Sequence, residues 1–129
     1  MATARARTIL IVEDDADFRR LLSLTLRLAG FDTREARDGY EAVAILEWAA
    51  PHIDGVILDL TMPGLDGFAV HDELLANPRT RLLPIIVVTG SDAPLEHMSA
   101  ACVLRKPTAL DEIVATVERC LREAQAQQS

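Results

Sequence analysis

Two short apolar runs in this chain end in carboxylates. Ile9-Leu10-Ile11-Val12 stops at Glu13-Asp14-Asp15, and Gly55-Val56-Ile57-Leu58 stops at Asp59, just before Thr61-Met62-Pro63-Gly64. In a parallel sheet, carboxylates ending two neighbouring strands meet at one edge. Like charges crowded there repel, and a divalent cation relieves the repulsion. Such an edge is a site for handling a phosphoryl group.

The remaining pattern fits that sheet. Thr8 to Val12 reads as the first strand. Asp15 or Asp17 can cap a helix in which Phe18, Leu21, Leu22, Thr25, Leu26 and Leu28-Ala29 recur at helical spacing, and Gly30 stops it. Phe31 to Ala36 is a polar strand suited to a sheet edge. Asp38 caps a helix from Gly39 to Ala49, ended by Pro51. Ile53 to Leu58 is apolar enough for a strand buried on both faces. A turn at Thr61 to Gly64 leads to a helix from Asp66 to Ala76, closed by Asn77-Pro78. Ile85 to Val88 is the fourth strand. A short, poor fourth helix over Ala93 to Ala101 precedes a brief fifth strand, Cys102 to Leu104. Thr108 caps a last helix from Ala109 to about Ala124, with Leu110, Ile113, Val114, Val117 and Leu121 on one face.

Five alternations of strand and helix joined by short loops force parallel strands and right-handed crossovers. The expected fold is therefore α/β, a doubly wound five-stranded parallel sheet with helices on both faces. Residues 1–7 form an N-terminal extension, 8–124 one domain, and 125–129 a Gln-rich tail expected to fray. The 129 residues suit a single domain, and no apolar run approaches the ~20 residues of a membrane span. The opening apolar run ends in three acidic residues, unlike a signal peptide. A net charge of −7 argues against a nucleic-acid-binding surface, so neither nucleic acid nor membrane is an expected partner. Cys102 and Cys120 lack metal-ligand spacing and read as reduced packing residues of a cytoplasmic protein.

Ligands of such sheets bind at the carboxyl ends of the strands. Those ends carry Glu13 and Asp14, then Asp59, then Thr89 with Gly90, then Arg105-Lys106-Pro107. An Asp59 oxygen can attack phosphorus to give an acyl phosphate. Glu13 and Asp14 are hard oxygen ligands for Mg²⁺, which offsets the charge of nucleophile and phosphoryl oxygens. The Thr89 hydroxyl can donate to a phosphoryl oxygen, and the Lys106 ammonium adds a second positive charge.

Along essentially its full length the chain resembles a response-regulator receiver domain of two-component signalling. The matching segments are Ile9 to Asp15, Val56 to Gly67, Val87-Val88-Thr89-Gly90 and Lys106-Pro107. The resemblance implies strand order 2-1-3-4-5, the flavodoxin-like receiver arrangement, and a cis Lys106–Pro107 peptide. It implies that Asp59 takes a phosphoryl group from a histidine kinase or histidine phosphotransfer protein. Glu13, Asp14, Asp59 and the Thr61 backbone carbonyl would hold Mg²⁺, while Thr89 and Lys106 engage phosphoryl oxygens. The expectation is a stand-alone receiver without a DNA-binding or enzymatic module. It would act as a switch, not a turnover enzyme, and signal through an unknown downstream protein.

Two features depart from the family pattern. Lys106 follows Thr89 by 17 positions, fewer than in most receivers. Val103 stands where many receivers carry an aromatic residue that swings inward when the threonine closes on the phosphoryl group. A valine has no such ring, so a different output route is expected. A phosphorylation-independent, receiver-like interaction module is therefore the alternative function. An aspartyl-phosphate phosphohydrolase would need an acid/base Asp where Thr61 stands. A flavin- or nucleotide-binding protein would need a glycine-rich loop where acidic residues follow the first strand. Asp15 reads as a cap, Arg105 as a surface residue, and Asp66 and Gly67 as structural. His52, His71 and His97 read as surface or half-buried, and Tyr40 with Trp48 as packing residues. Ser91 and Thr61, two positions beyond Thr89 and Asp59, offer neither carboxylate nor amide to promote hydrolysis of the acyl phosphate.

Overall fold

The apolar runs become the strands. A computed structural model describes residues 6–49, 52–60, 62, 64, 66–90, 95, 100, 102–106 and 108–128. Its elements are β1 (Thr8–Val12), α1 (Ala16–Leu28), β2 (Asp32–Ala36), α2 (Gly39–Ala49), β3 (Gly55–Leu58), α3 (Gly67–Ala76), β4 (Ile85–Thr89), β5 (Cys102–Arg105) and α4 (Leu110–Gln128). The five strands pair in parallel in the order β2-β1-β3-β4-β5. The doubly wound α/β sheet expected from the alternation is therefore the observed one.

Burial explains why β1, β3 and β4 have no polar alternation. Leu10, Val12, Val56, Leu58, Ile85 and Val87 face a layer built with Ala42 and Leu46 of α2 and Val70 and Leu74 of α3. Ile9, Ile11, Ile57, Ile86 and Val88 face the opposite layer, with Leu22 and Leu26 of α1 and Ile113, Val117 and Leu121 of α4. Central strands covered on both faces need side chains that are apolar throughout. β2, an outer strand, is mixed instead, burying Thr33 and Ala36 while exposing Asp32 and Arg34.

The choice between Asp15 and Asp17 as first cap resolves to Asp15. Its Oδ1 accepts from the backbone N–H groups of Asp17 and Phe18, both at 3.1 Å. Asp38 and Asp66 likewise accept from Glu41 N (2.8 Å) and Ala69 N (3.0 Å). At the end of α1, Gly30 takes φ +101°, and Phe31 N donates to Leu26 O at 3.0 Å.

Several expectations change. β3 begins at Gly55 instead of Ile53, β4 gains Thr89, and β5 gains Arg105. The shortened fourth helix expected over Ala93 to Ala101 falls outside the described residues except Leu95 and Ala100. The tail expected to fray from Gln125 is helical through Gln128, with Gln125 Oε1 accepting from the Arg7 guanidinium. Trp48 and Tyr40 are exposed instead of packed, because α2 turns Ala42 and Leu46 inward. His71 is buried, beside Asp72. The two cysteines expected as reduced packing residues are joined as a disulfide. Packing of α4 across β5 brings together residues separated by 18 positions, with Cα atoms 6.9 Å apart.

Candidate functional site

The ends of β1, β3, β4 and β5 lie along one edge of the sheet, held there by backbone bonds. Glu13 N donates to Ala36 O at 3.1 Å, Asp59 N to Val12 O at 3.0 Å, and Lys106 N to Thr89 O at 2.9 Å. These bonds fix where each following side chain emerges. Gly67 lets the N-terminus of α3 close over the end of β3. A Cβ there would lie 2.2 Å from the Asp59 carbonyl oxygen and 2.5 Å from Leu60 Cα.

At that edge the side chains converge as expected. Carboxylate oxygens of Glu13, Asp14 and Asp59 lie within 4.8 Å of one another, with Glu13 and Asp59 buried and Asp14 exposed. Lys106 Nζ donates to Glu13 Oε1 at 3.2 Å and Oε2 at 3.1 Å, and lies 3.7 Å from Asp59 Oδ2. Thr89 is fully buried at the end of β4. Thr61 and Pro107, and with them the carbonyl ligand and the cis peptide, lie outside the described residues, as do Ser91 and His97. Arg105 is exposed, as expected.

Burial, followed by the negative charge of Asp59, pushes the Glu13 carboxyl up to about 7. The Lys106 hydrogen bond and charge, and the Asp15 backbone N–H, pull it part of the way back. Three carboxylates facing one ammonium leave an excess of negative charge. Their hard oxygen donors and mutual repulsion suit a small divalent cation such as Mg²⁺.

Three supporting contacts escaped the sequence reading. Lys106 Nζ stands 4.9 Å from the centroid of the Phe18 ring, which offers its face to the cation. Arg19 Nη1 donates to Glu13 O at 2.8 Å while its Nε reaches Glu35 Oε1 at 3.1 Å, bracing the end of β1. Glu13 itself is the direct partner of Lys106, besides being a candidate metal ligand. Phe18 and Arg19 sit in the first turn of α1, next to the strand end in sequence. That adjacency was the available signal, but apolar and basic residues in a first turn are too ordinary to single out.

Residues 9–118 match the family model described as the response regulator receiver domain. The chain belongs to that family. This receiver domain is 36% identical over 119 residues to "Response regulator MprA" of Mycolicibacterium vanbaalenii, covering 88% of this chain and 50% of that protein. It is 33% identical over 119 residues to "DNA-binding dual master transcriptional regulator RpaA" of Synechocystis, covering 88% and 48%. It thus spans about half the length of those curated relatives. Among solved structures it resembles the Vibrio cholerae chemotaxis protein CheY4, with TM-score 0.82, 27% identity, and coverage of 90% and 99%. Among the described residues, no helix of the receiver is long and apolar enough to cross a membrane.

Proposed function

We propose that Asp59 of this receiver accepts a phosphoryl group from a phosphohistidine on a histidine kinase or histidine phosphotransfer protein. The observation that carries this reading is the placement of Lys106 Nζ 3.7 Å from the Asp59 carboxylate, inside a cluster of three carboxylates.

An Asp59 oxygen attacks phosphorus as the P–N bond to the histidine breaks, and the leaving imidazole takes a proton. Lys106, held between Glu13 and Asp59, shifts its ammonium toward the incoming phosphoryl oxygens, and the Thr89 hydroxyl donates to one of them. Glu13, Asp14 and Asp59 would hold Mg²⁺, which when bound neutralises charge building on the phosphoryl oxygens. Glu13 must lose its proton to act as a ligand. The product is an acyl phosphate that changes a binding surface, so the chain acts as a switch and not as a turnover catalyst. A donor phosphorylated from ATP carries a cytoplasmic location with it. The signal leaves through contact with another protein, and a covalently attached output domain fits the lengths of the relatives equally well.

Incubation with acetyl phosphate and Mg²⁺, followed by intact mass, tests the reading. A gain of ~80 Da that vanishes in Asp59→Asn or with a chelator is expected for phosphoryl addition. No gain, or a gain that survives Asp59→Asn, would remove it and favour the alternative of a phosphorylation-independent interaction module. One observation favours that alternative: Val103 is 42% exposed on β5 and carries no ring to swing inward.

A further inference from the structure

Cys102 and Cys120 are joined on the side of the molecule where α4 covers the outer strand β5. Their surroundings differ. Cys102, the first residue of β5, packs against the rim of the apolar layer but is partly open to solvent. Arg119 Nη2 donates to its Sγ at 3.4 Å, with Arg119 Nε 3.9 Å from Glu123 Oε1. Cys120 is 1% exposed, among Ile113, Val117 and Leu121 of the apolar layer. A cation beside a sulfur favours the reactive thiolate, whereas apolar burial keeps a thiol protonated and inert. One accessible thiolate beside one sheltered thiol is the arrangement of an oxidant-responsive pair.

We propose that Cys102 and Cys120 form a reversible thiol-modification site for peroxides, with Cys102 the reacting sulfur and Cys120 the resolving one. The Cys102 thiolate attacks a peroxide oxygen, the O–O bond breaks, and Cys102 becomes a sulfenic acid while the leaving hydroxide takes a proton to become water. The Cys120 sulfur then attacks Cys102 Sγ, the S–O bond breaks, and the Cys120 proton leaves with that oxygen as a second water. Two thiols and one hydrogen peroxide thus give one disulfide and two waters. A dithiol reductant reverses this. Its thiolate attacks the accessible Cys102 Sγ, and Cys120 departs with the proton the attacker lost. The reductant's second thiol then closes its own disulfide and frees Cys102. Reversibility reconciles the bond with a reducing compartment, where disulfides are mostly transient or sensing. The bond also fastens to α4 the strand that ends next to Lys106, one residue beyond Arg105.

The test uses the full chain, reduced with dithiothreitol, freed of reductant without oxygen, treated while folded with hydrogen peroxide, then unfolded in guanidinium and quenched with N-ethylmaleimide so that buried Cys120 is also labelled. Intact mass should show two maleimides before peroxide and none after, with a loss of about 2 Da. Dimedone should capture a sulfenic acid at Cys102 in Cys120→Ala, and none in Cys102→Ala. Arg119 is half exposed, so Arg119→Met should fold while slowing peroxide oxidation of Cys102 about tenfold at pH 7. Resistance of the folded disulfide to dithiothreitol, dimedone capture at Cys120 in Cys102→Ala, or an unchanged rate in Arg119→Met would overturn the assignment.

Discussion

Glu13 is the hydrogen-bond partner of Lys106 and a candidate metal ligand, and the two demands pull against each other. Without a cation it is held protonated up to about pH 7 by burial and by Asp59, and it accepts both hydrogen bonds from Lys106. With a cation it must be ionised. The sign of its pH effect follows from the raised carboxyl. Between its ordinary value of 4.5 and about 7 the folded chain binds the extra proton, so this group's stabilisation is full below 4.5 and fades as pH rises to 7. Metal binding runs the other way, because the ligand must be deprotonated. Calorimetric titration should find Mg²⁺ bound about tenfold more weakly at pH 6 than at pH 8, with proton release at the lower pH. Asp59→Asn removes one of the crowded charges. It should raise the melting temperature of the metal-free protein at pH 8 by about 3 °C, corresponding to roughly 1 kcal/mol. Lys106→Met leaves the carboxylates without their ammonium, so acetyl-phosphate phosphorylation should slow by roughly a hundredfold. The gathering of Asp59, Glu13, Asp14 and Lys106 at one edge was legible because strand ends expose few residues. The Lys106–Glu13 pairing was not, since two side chains 93 positions apart can share a pocket without touching.

The helices and strands follow their sequence signals where burial and capping agree. α1 starts where Asp15 can cap it, and β3 is apolar because α1 and α2 cover opposite sides of the sheet. Element ends shifted by one to four residues, the end of α4 the most, as local hydrogen bonding and not hydropathy decides them. Tertiary contacts gave no sequence signal. Gly67 reads as a structural glycine of the loop before the third helix, but nothing in the sequence shows that it is the point where α3 meets the backbone of β3. Gly67→Ala should therefore destabilise the fold by more than about 2 kcal/mol in urea unfolding and blunt phosphorylation, because the Asp59 backbone must shift. The cysteines were misread because helix–strand packing sets their proximity, not their spacing along the chain. Reducing the Cys102–Cys120 bond should lower stability by about 3 kcal/mol, seen as a melting temperature lower by roughly 10 °C.

Over the whole molecule, the order β2-β1-β3-β4-β5 puts the acidic ends of β1 and β3 side by side, with Thr89 at the end of β4 and Lys106 just beyond β5. The alternation of strand and helix was enough to indicate a parallel doubly wound sheet. The strand order came from resemblance to receivers, since periodicity alone does not say which strands are neighbours. The charge arrangement supports the proposed phosphoryl acceptance at one edge: the carboxylates would hold a divalent cation, that cation and Lys106 would offset the charge of the incoming anion, and the apolar layers lie beneath them. The proposed phosphoryl transfer forms its new bond at Asp59. Borohydride reduces an acyl phosphate to an alcohol, turning a phosphorylated aspartate into homoserine. The receiver should be phosphorylated with Mg²⁺ and a phosphohistidine donor, reduced with borohydride, and mapped by peptide mass spectrometry. Homoserine at position 59 alone, dependent on Mg²⁺, is the expected result; homoserine at another carboxylate, or none at all under conditions that dephosphorylate the donor, would contradict it.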